Sequence, residues 1–144
     1  MHIHTILIPY DGSEYSNRAY NYALDLAKKY NSNLVAVSCI VEQNQPPEMM
    51  MLEEENMQLQ KQKVVALQLL SIIESKAEEL GINFKGIILK TSSVTDALLS
   101  YAESNDVDII IMGSRGLGGF KKLLLGSVTS VLLQHSKCPV LIVK

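Results

Sequence analysis

The feature that most constrains this chain is an alternation, kept from start to finish, between short apolar-rich runs and longer segments of helical period. Ile6-Leu7-Ile8-Pro9, Leu34 to Val41, Ile82 to Lys90, Val107 to Met112 and Pro139 to Val143 are the five runs. The first two are apolar almost throughout, and a strand of that kind is covered on both faces, as in a parallel sheet. Between the runs lie four helical segments. One extends from about 14 to 30, with Ser13 at its N-cap and Ala19, Ala23, Leu26 and Ala27 on one face. A long second one ends at Leu80-Gly81, its period supplied by Val65, Leu69, Ile72, Ile73, Lys76, Ala77 and Leu80. The third is capped by Ser93 with Asp96 in the capping-box position, and Ala97, Leu98, Tyr101 and Ala102 line its inner face. The last spans about Ser127 to Gln134.

Strands that alternate with helices make βαβ units, and right-handed crossovers leave few topologies for five of them. The expected fold is therefore α/β: a doubly wound five-stranded parallel sheet of order 3-2-1-4-5, with helices on both faces. Ligands in such sheets bind outside the carboxyl ends of the strands, where the winding reverses. Here that point lies between strands 1 and 4, which end at Asp11 and at Gly113.

The 144 residues fit one domain, 1–144. A net charge of −2 gives no electrostatic case for nucleic acid or an anionic membrane surface, so any phosphate-bearing ligand must be held by local geometry. No apolar run approaches the roughly 20 residues of a membrane helix, and Met1-His2-Ile3-His4 lacks the basic start of a signal peptide. Cys39 and Cys138 have no CxxC partner. They read as free buried thiols of a reducing cytoplasm, with a disulfide or metal pair as the alternative. His2, His4 and His135 are too scattered for a metal triad. Between Glu42 and Gln62 the composition turns to Gln, Glu, Met and the Pro46-Pro47 pair. Its first part reads as a loop or mobile excursion, and Met49-Met50-Met51-Leu52 as a fraying helix start or a contact surface.

Five glycines fall in the fourteen residues from Gly113 to Gly126: Gly113, Gly116, Gly118, Gly119 and Gly126. Glycines after a strand let backbone N–H groups approach a ligand without hindrance from Cβ. Gly126-Ser127 then opens a helix, whose first N–H groups lack intrahelical partners and attract an anion, phosphate above all. Arg115, Lys121 and Lys122 add positive charge nearby. The loop is not a P-loop, because no glycine is followed by lysine and Ser or Thr in the GxxxxGK[ST] frame. The first strand ends in Asp11-Gly12-Ser13-Glu14, which is not the GxGxxG of a dinucleotide site. The missing P-loop lysine would have stabilised a transferring phosphoryl group, so rapid hydrolysis is not expected. Asp11 beside Gly12 has a plain reading as a turn residue capping the first helix, and a functional one from its place opposite the glycine loop. Neither a Ser/His/Asp set nor a carboxylate pair stands out, and no catalytic residue is assigned.

The spacing Gly113, two residues, Gly116, nine residues, Gly126-Ser127 resembles the ATP-binding motif of the universal stress protein family. Pro9-x-Asp11-Gly12-Ser13 and Cys138 to Val143 resemble that family's two ends, so the likeness covers essentially the whole chain. It implies the same five-stranded fold, of the adenine nucleotide alpha hydrolase-like kind. It also implies that Asp11 accepts hydrogen bonds from ribose hydroxyls and that Pro9 lies beside the sugar or base. Cys39 falls where the family presents backbone groups to adenine, and Met112 and Gly113 flank the adenosine. Arg115 and Gly116 meet the phosphates, and Gly126, Ser127 and Val128 close around them. Ser127 would serve as N-cap and as phosphate ligand at once. The cofactor implied is ATP, with Mg or Mn; the assembly implied is a homodimer paired through Val140, Leu141, Ile142 and Val143. Two departures stand out: Thr91-Ser92-Ser93-Val94 replaces a Gly-x-Pro before the third helix, and the segment from Gln43 to Met57 falls where the family is most variable. The function expected is a nucleotide-responsive regulatory dimer of the stress response with a further protein partner. A slow ATPase or phosphotransferase in the same pocket is the alternative, and a structural dimer without nucleotide a third.

Overall fold

A computed structural model describes residues 2–42, 49–117 and 125–144. The elements in chain order are β1 (Thr5–Pro9), α1 (Glu14–Tyr30), β2 (Asn33–Val41), α2 (Met49–Glu79), β3 (Phe84–Thr91), α3 (Val94–Ser104), β4 (Ile109–Gly113), α4 (Ser127–His135) and β5 (Val140–Val143). The strands form one sheet of order β3-β2-β1-β4-β5, and every pairing is parallel. The 3-2-1-4-5 order expected from the alternation is the order found. Burial explains the unbroken apolar runs: Ile6, Leu7 and Ile8 of β1 and Ile110 and Ile111 of β4 are fully covered because helices lie on both sides.

Two apolar clusters sandwich the sheet. One gathers Ala19, Tyr20, Ala23 and Leu24 of α1 with Leu70, Ile73 and Ala77 of α2. The other gathers Leu98 and Ala102 of α3 with Leu132 of α4. Local signals set the helix ends. The Ser13 hydroxyl accepts the Ser16 N–H at 3.1 Å, and the Ser93 hydroxyl the Asp96 N–H at 3.4 Å. Gly81, at φ +70°, ends the turn after α2, and the Ile82 N–H returns to the Ala77 carbonyl at 2.9 Å. Ile82 is thereby part of the helix stop, buried against the core, and β3 begins two residues later than the apolar run suggested.

The expected stripe of α2 needs correction. Its buried face is Ala66, Leu70, Ile73 and Ala77, whereas Val65 and Ile72 are 53% and 69% exposed. Two alanines in the stripe let the helix lie close on the sheet, and the Tyr20 hydroxyl donates to the Ile73 carbonyl. Residues 43–48 lie outside the described residues, as do the side chains of Met49 to Leu52 and the loop positions Gly118, Gly119, Lys121 and Lys122. No described helix is long and apolar enough to cross a membrane.

Candidate functional site

The site starts where β1 and β4 part. Pairing of β1 with β2 continues through Pro9, opposite Val37, but pairing with β4 stops at Leu7, opposite Ile110. Pro9 has no N–H to extend a ladder, so a central strand ends there and a cleft opens beside it. The Tyr10 N–H still reaches the Val37 carbonyl at 2.8 Å, and the Ser38 hydroxyl donates to the Tyr10 carbonyl at 2.8 Å. These bonds hold the chain against β2 while it turns into Asp11-Gly12. Gly12 takes φ +81°, a conformation that favours glycine.

The Asp11 carboxylate is fixed by that turn. One oxygen accepts the Ser13 N–H at 2.9 Å, and the other accepts the Leu117 N–H at 3.2 Å from the loop that follows β4. It bridges the two strand ends, 106 residues apart in sequence. A Cβ on Gly116 would stand 2.7 Å from the Asp11 Oδ2, so a side chain there would displace the carboxylate from its present position. Gly113 is more tightly confined: a Cβ there would lie 2.6 Å from the Tyr15 Cβ and 2.8 Å from its backbone carbon. The Tyr10 phenol donates to Asn17 Oδ1, and burial, then the Asp11 charge, hold it above its ordinary pKa.

The loop rejoins the fold at α4. The Ser114 N–H donates to the Val143 carbonyl at 2.8 Å, and the Gly126 N–H to the Ser114 carbonyl at 2.7 Å. The N-cap of α4 is Gly126, extended at φ −66° and ψ 162°, with no side-chain hydrogen bond across the helix start. Ser127 is the first residue of the helix, which corrects its expected N-cap role. The Thr129 hydroxyl donates instead to the Gly113 carbonyl at 3.0 Å. The first turn of α4 thus faces the cleft with N–H groups that no side chain caps, the arrangement that attracts anions.

A cavity of about 850 Å³ fills this region. All ten residues singled out from sequence line it: Pro9 and Asp11 from the end of β1, Cys39 from β2, Met112 and Gly113 from β4, Arg115 and Gly116 from the loop, and Gly126, Ser127 and Val128 at α4. Four separate stretches of chain are brought to one place. Burial pushes the Cys39 thiol up to about 11, so it stays protonated at neutral pH. Cys39 and Cys138 are both free, and each is only partly buried. Among the described residues no cluster of three metal-ligating side chains occurs. His2 and His4 stack on each other at 5.6 Å between ring centres.

Sequence reasoning missed one side of the cavity. Lys61, Gln62, Val65, Ala66 and Leu69 of α2 line it, as do Val94 and Leu98 of α3 and Thr129 of α4. The signal present for α2 was its surplus of apolar residues, more than one buried stripe needs.

A doubly wound parallel sheet with a glycine-built cleft at its winding reversal, facing a helix start, defines a class of small α/β proteins whose candidate site lies at the carboxyl ends of the strands. The profile of the universal stress protein family matches residues 2–144, and the chain belongs to that family. Universal stress protein YxiE of Bacillus subtilis is 32% identical over 149 aligned positions, covering 96% of this chain and 97% of its own. The solved structure of MJ0577, a universal stress protein of Methanocaldococcus jannaschii, superposes with a TM-score of 0.87 at 32% identity, covering 100% of this chain and 97% of the other. A universal stress protein family member from Arabidopsis thaliana, solved with AMP bound, superposes with a TM-score of 0.69 at 20% identity, covering 98% and 91%.

Proposed function

We propose that this chain binds ATP, with Mg or Mn, in the cleft between β1 and β4 and acts as a nucleotide-responsive regulatory dimer in the cytoplasm. The observation that carries the reading is convergence. The turn at Asp11, the glycines after β4 and the uncapped start of α4 line one cavity at the winding reversal. The donor set suits a nucleotide: uncapped N–H groups and Arg115 for phosphate, a carboxylate for sugar hydroxyls, and Val37, Ile40 and Met112 for a base. The AMP held by the Arabidopsis relative supports the same ligand class.

Asp11 is the residue that would accept from ribose hydroxyls, and Ser127 would donate to phosphate alongside the N–H groups of Ser127 and Val128. A bound divalent ion would neutralise part of the triphosphate charge. The dimer reading rests on β5, which closes one edge of the sheet with Leu141 exposed and Val140 and Ile142 partly so. A ligand that binds only the folded form stabilises it in proportion to its excess over Kd. The purified protein is melted with and without ATP and Mg, and the mixture is assayed afterwards for nucleotide and phosphate. A raised melting temperature with intact ATP is expected. No shift, together with no nucleotide extractable from the protein, would overturn the reading in favour of a structural dimer. Phosphate release above background, sensitive to Arg115→Ala or Ser127→Ala, would turn it toward slow hydrolysis.

A further inference from the structure

Helix α2 carries two apolar faces, and the sheet uses only one. Ala66, Leu70, Ile73 and Ala77 are buried against it. A second row, Leu69, Val65 and Lys61, recurs every four residues with Gln62 beside its outer end, and all four side chains line the cleft. The row is anchored at the Asp11 turn, because Leu69 Cδ1 lies 2.9 Å from where a Cβ on Gly12 would stand. From Leu69 to Lys61 the helix rises about 12 Å, so the row runs outward from Asp11 along the cleft. Val65 is 53% exposed although its helix is packed on the sheet, because it faces the cavity.

Lys61 stands at the outer end of that row without a carboxylate. Its neighbours three and four positions away on the helix are Met57, Gln58, Val64 and Val65, and no ion pair involves it among the described residues. Among the described residues, the charged side chains lining the cavity are Lys61, Arg115 and Asp11. Both Asp11 oxygens already accept backbone N–H groups. Among the described residues, then, two cations face one carboxylate, in a chain whose net charge is −2. Positive charge concentrated in one cleft of an acidic protein favours a ligand with several negative charges over one with few.

We propose that α2 is a second wall of the nucleotide site. Val65 and Leu69 pack on the part common to all adenosine phosphates, and Lys61 makes the site discriminate by phosphate number. This rests on the reading that the cleft takes an adenine nucleotide. The test is calorimetric titration of AMP and of Mg-ATP into the full chain, its Lys61→Gln and Lys61→Arg variants, and Val65→Ser. Lys61→Gln should weaken ATP by roughly three- to tenfold and AMP by less than about twofold, the scale of a partly exposed charge contact. Lys61→Arg should keep the preference. Val65→Ser should weaken both ligands alike, by roughly two- to fivefold, as loss of about one buried methyl-sized contact predicts. Both positions are exposed, so melting temperatures without ligand should not move. Wild-type binding of both nucleotides with an unchanged ATP-to-AMP ratio in Lys61→Gln overturns the role of Lys61. Unchanged affinities in Val65→Ser overturn the wall. A wild-type chain that binds neither nucleotide overturns the ligand reading itself, and this inference with it.

Discussion

The two walls of the cleft are built by different means. On one side, at the ends of β1 and β4, the surface is made by backbone and by the absence of side chains. Gly113 is pressed on Tyr15, Gly116 on the Asp11 carboxylate, and Gly126 leaves the start of α4 bare. On the other side, α2 presents side chains from a regular helix, Lys61, Gln62, Val65 and Leu69, none of them required by backbone conformation. A surface of the first kind is fixed by its glycines, either because an added atom would move the chain, as at Gly113, or because it would fill the cleft, as at Gly126. A surface of the second kind can change residue by residue while the helix stays in place. Within one site, the first wall would fix what class of ligand enters, and the second would adjust the preference among its members.

The contrast is sharpest at Gly113. A Cβ there would meet the Tyr15 backbone at 2.8 and 2.9 Å, contacts that no rotamer change relieves. Gly113→Ala should therefore lower unfolding stability by about 1–3 kcal/mol or more, read by urea denaturation, the range for overpacking a filled site. Gly126 tests the same wall without touching the fold. A Cβ there would find Arg115 Cα at 3.5 Å and the Ser114 carbonyl oxygen at 3.6 Å, both ordinary contacts. Gly126→Val should melt close to wild type yet lose nucleotide binding, because its methyl groups would occupy the space at the start of α4. A destabilisation of Gly126→Val equal to that of Gly113→Ala would erase the distinction between a glycine needed for packing and one needed for a ligand.

The same contrast explains what could be read from the chain. Proline at the end of a central strand, Asp-Gly after it, and glycines spaced before a helix are demands of backbone geometry, and they mark the sequence at fixed residues. Those marks put Asp11, Gly113, Gly116 and Gly126 at one winding reversal once the strand order was known, whereas Pro9, Cys39 and Met112 were assigned through the family resemblance; all of them line the cleft. The strand order itself was legible because handedness leaves a repeated βα pattern little choice. Helix α2 left no such mark. Val64, Val65, Leu67, Leu69, Leu70, Ile72 and Ile73 offer several stripes of helical period. Which one faces the sheet is decided by how closely Ala66 and Ala77 let the helix approach, a matter of tertiary packing. The cap of α4 was misplaced by one residue for a related reason: serine is the better N-cap, but extended Gly126 takes that position here.

Asp11 joins the turn after β1 to the glycine loop, and its removal should separate binding from stability. Its carboxylate is exposed, and its hydrogen bonds run to the Ser13 and Leu117 N–H groups at the rim. Asp11→Ala should weaken nucleotide binding by about 1.5–3 kcal/mol, the scale of hydrogen bonds to a charged group. The melting temperature without ligand should fall by much less. Affinity unchanged by calorimetry would mean that the carboxylate serves the loop alone.

The smallest expected effect concerns Cys39, a side chain of the cleft whose titration is strongly displaced. Burial raises its thiol from 9.0 to about 11, so the folded chain holds its proton where an unfolded chain has released it. The sign follows from proton binding. Below about pH 9 both states carry the proton and the contribution is constant. As pH rises from there through about 11 the unfolded state binds fewer protons, and stability falls. The Tyr10 and Tyr20 phenols are raised as well and extend the decline to higher pH. Thermal melts across this range should therefore show a falling melting temperature in wild type and a shallower fall in Cys39→Ala. If nucleotide covers this part of the cleft, bound ATP should further slow alkylation of Cys39 relative to Cys138 at a fixed alkaline pH. Equal slowing at both thiols would place the protection in the fold as a whole, not in the cleft.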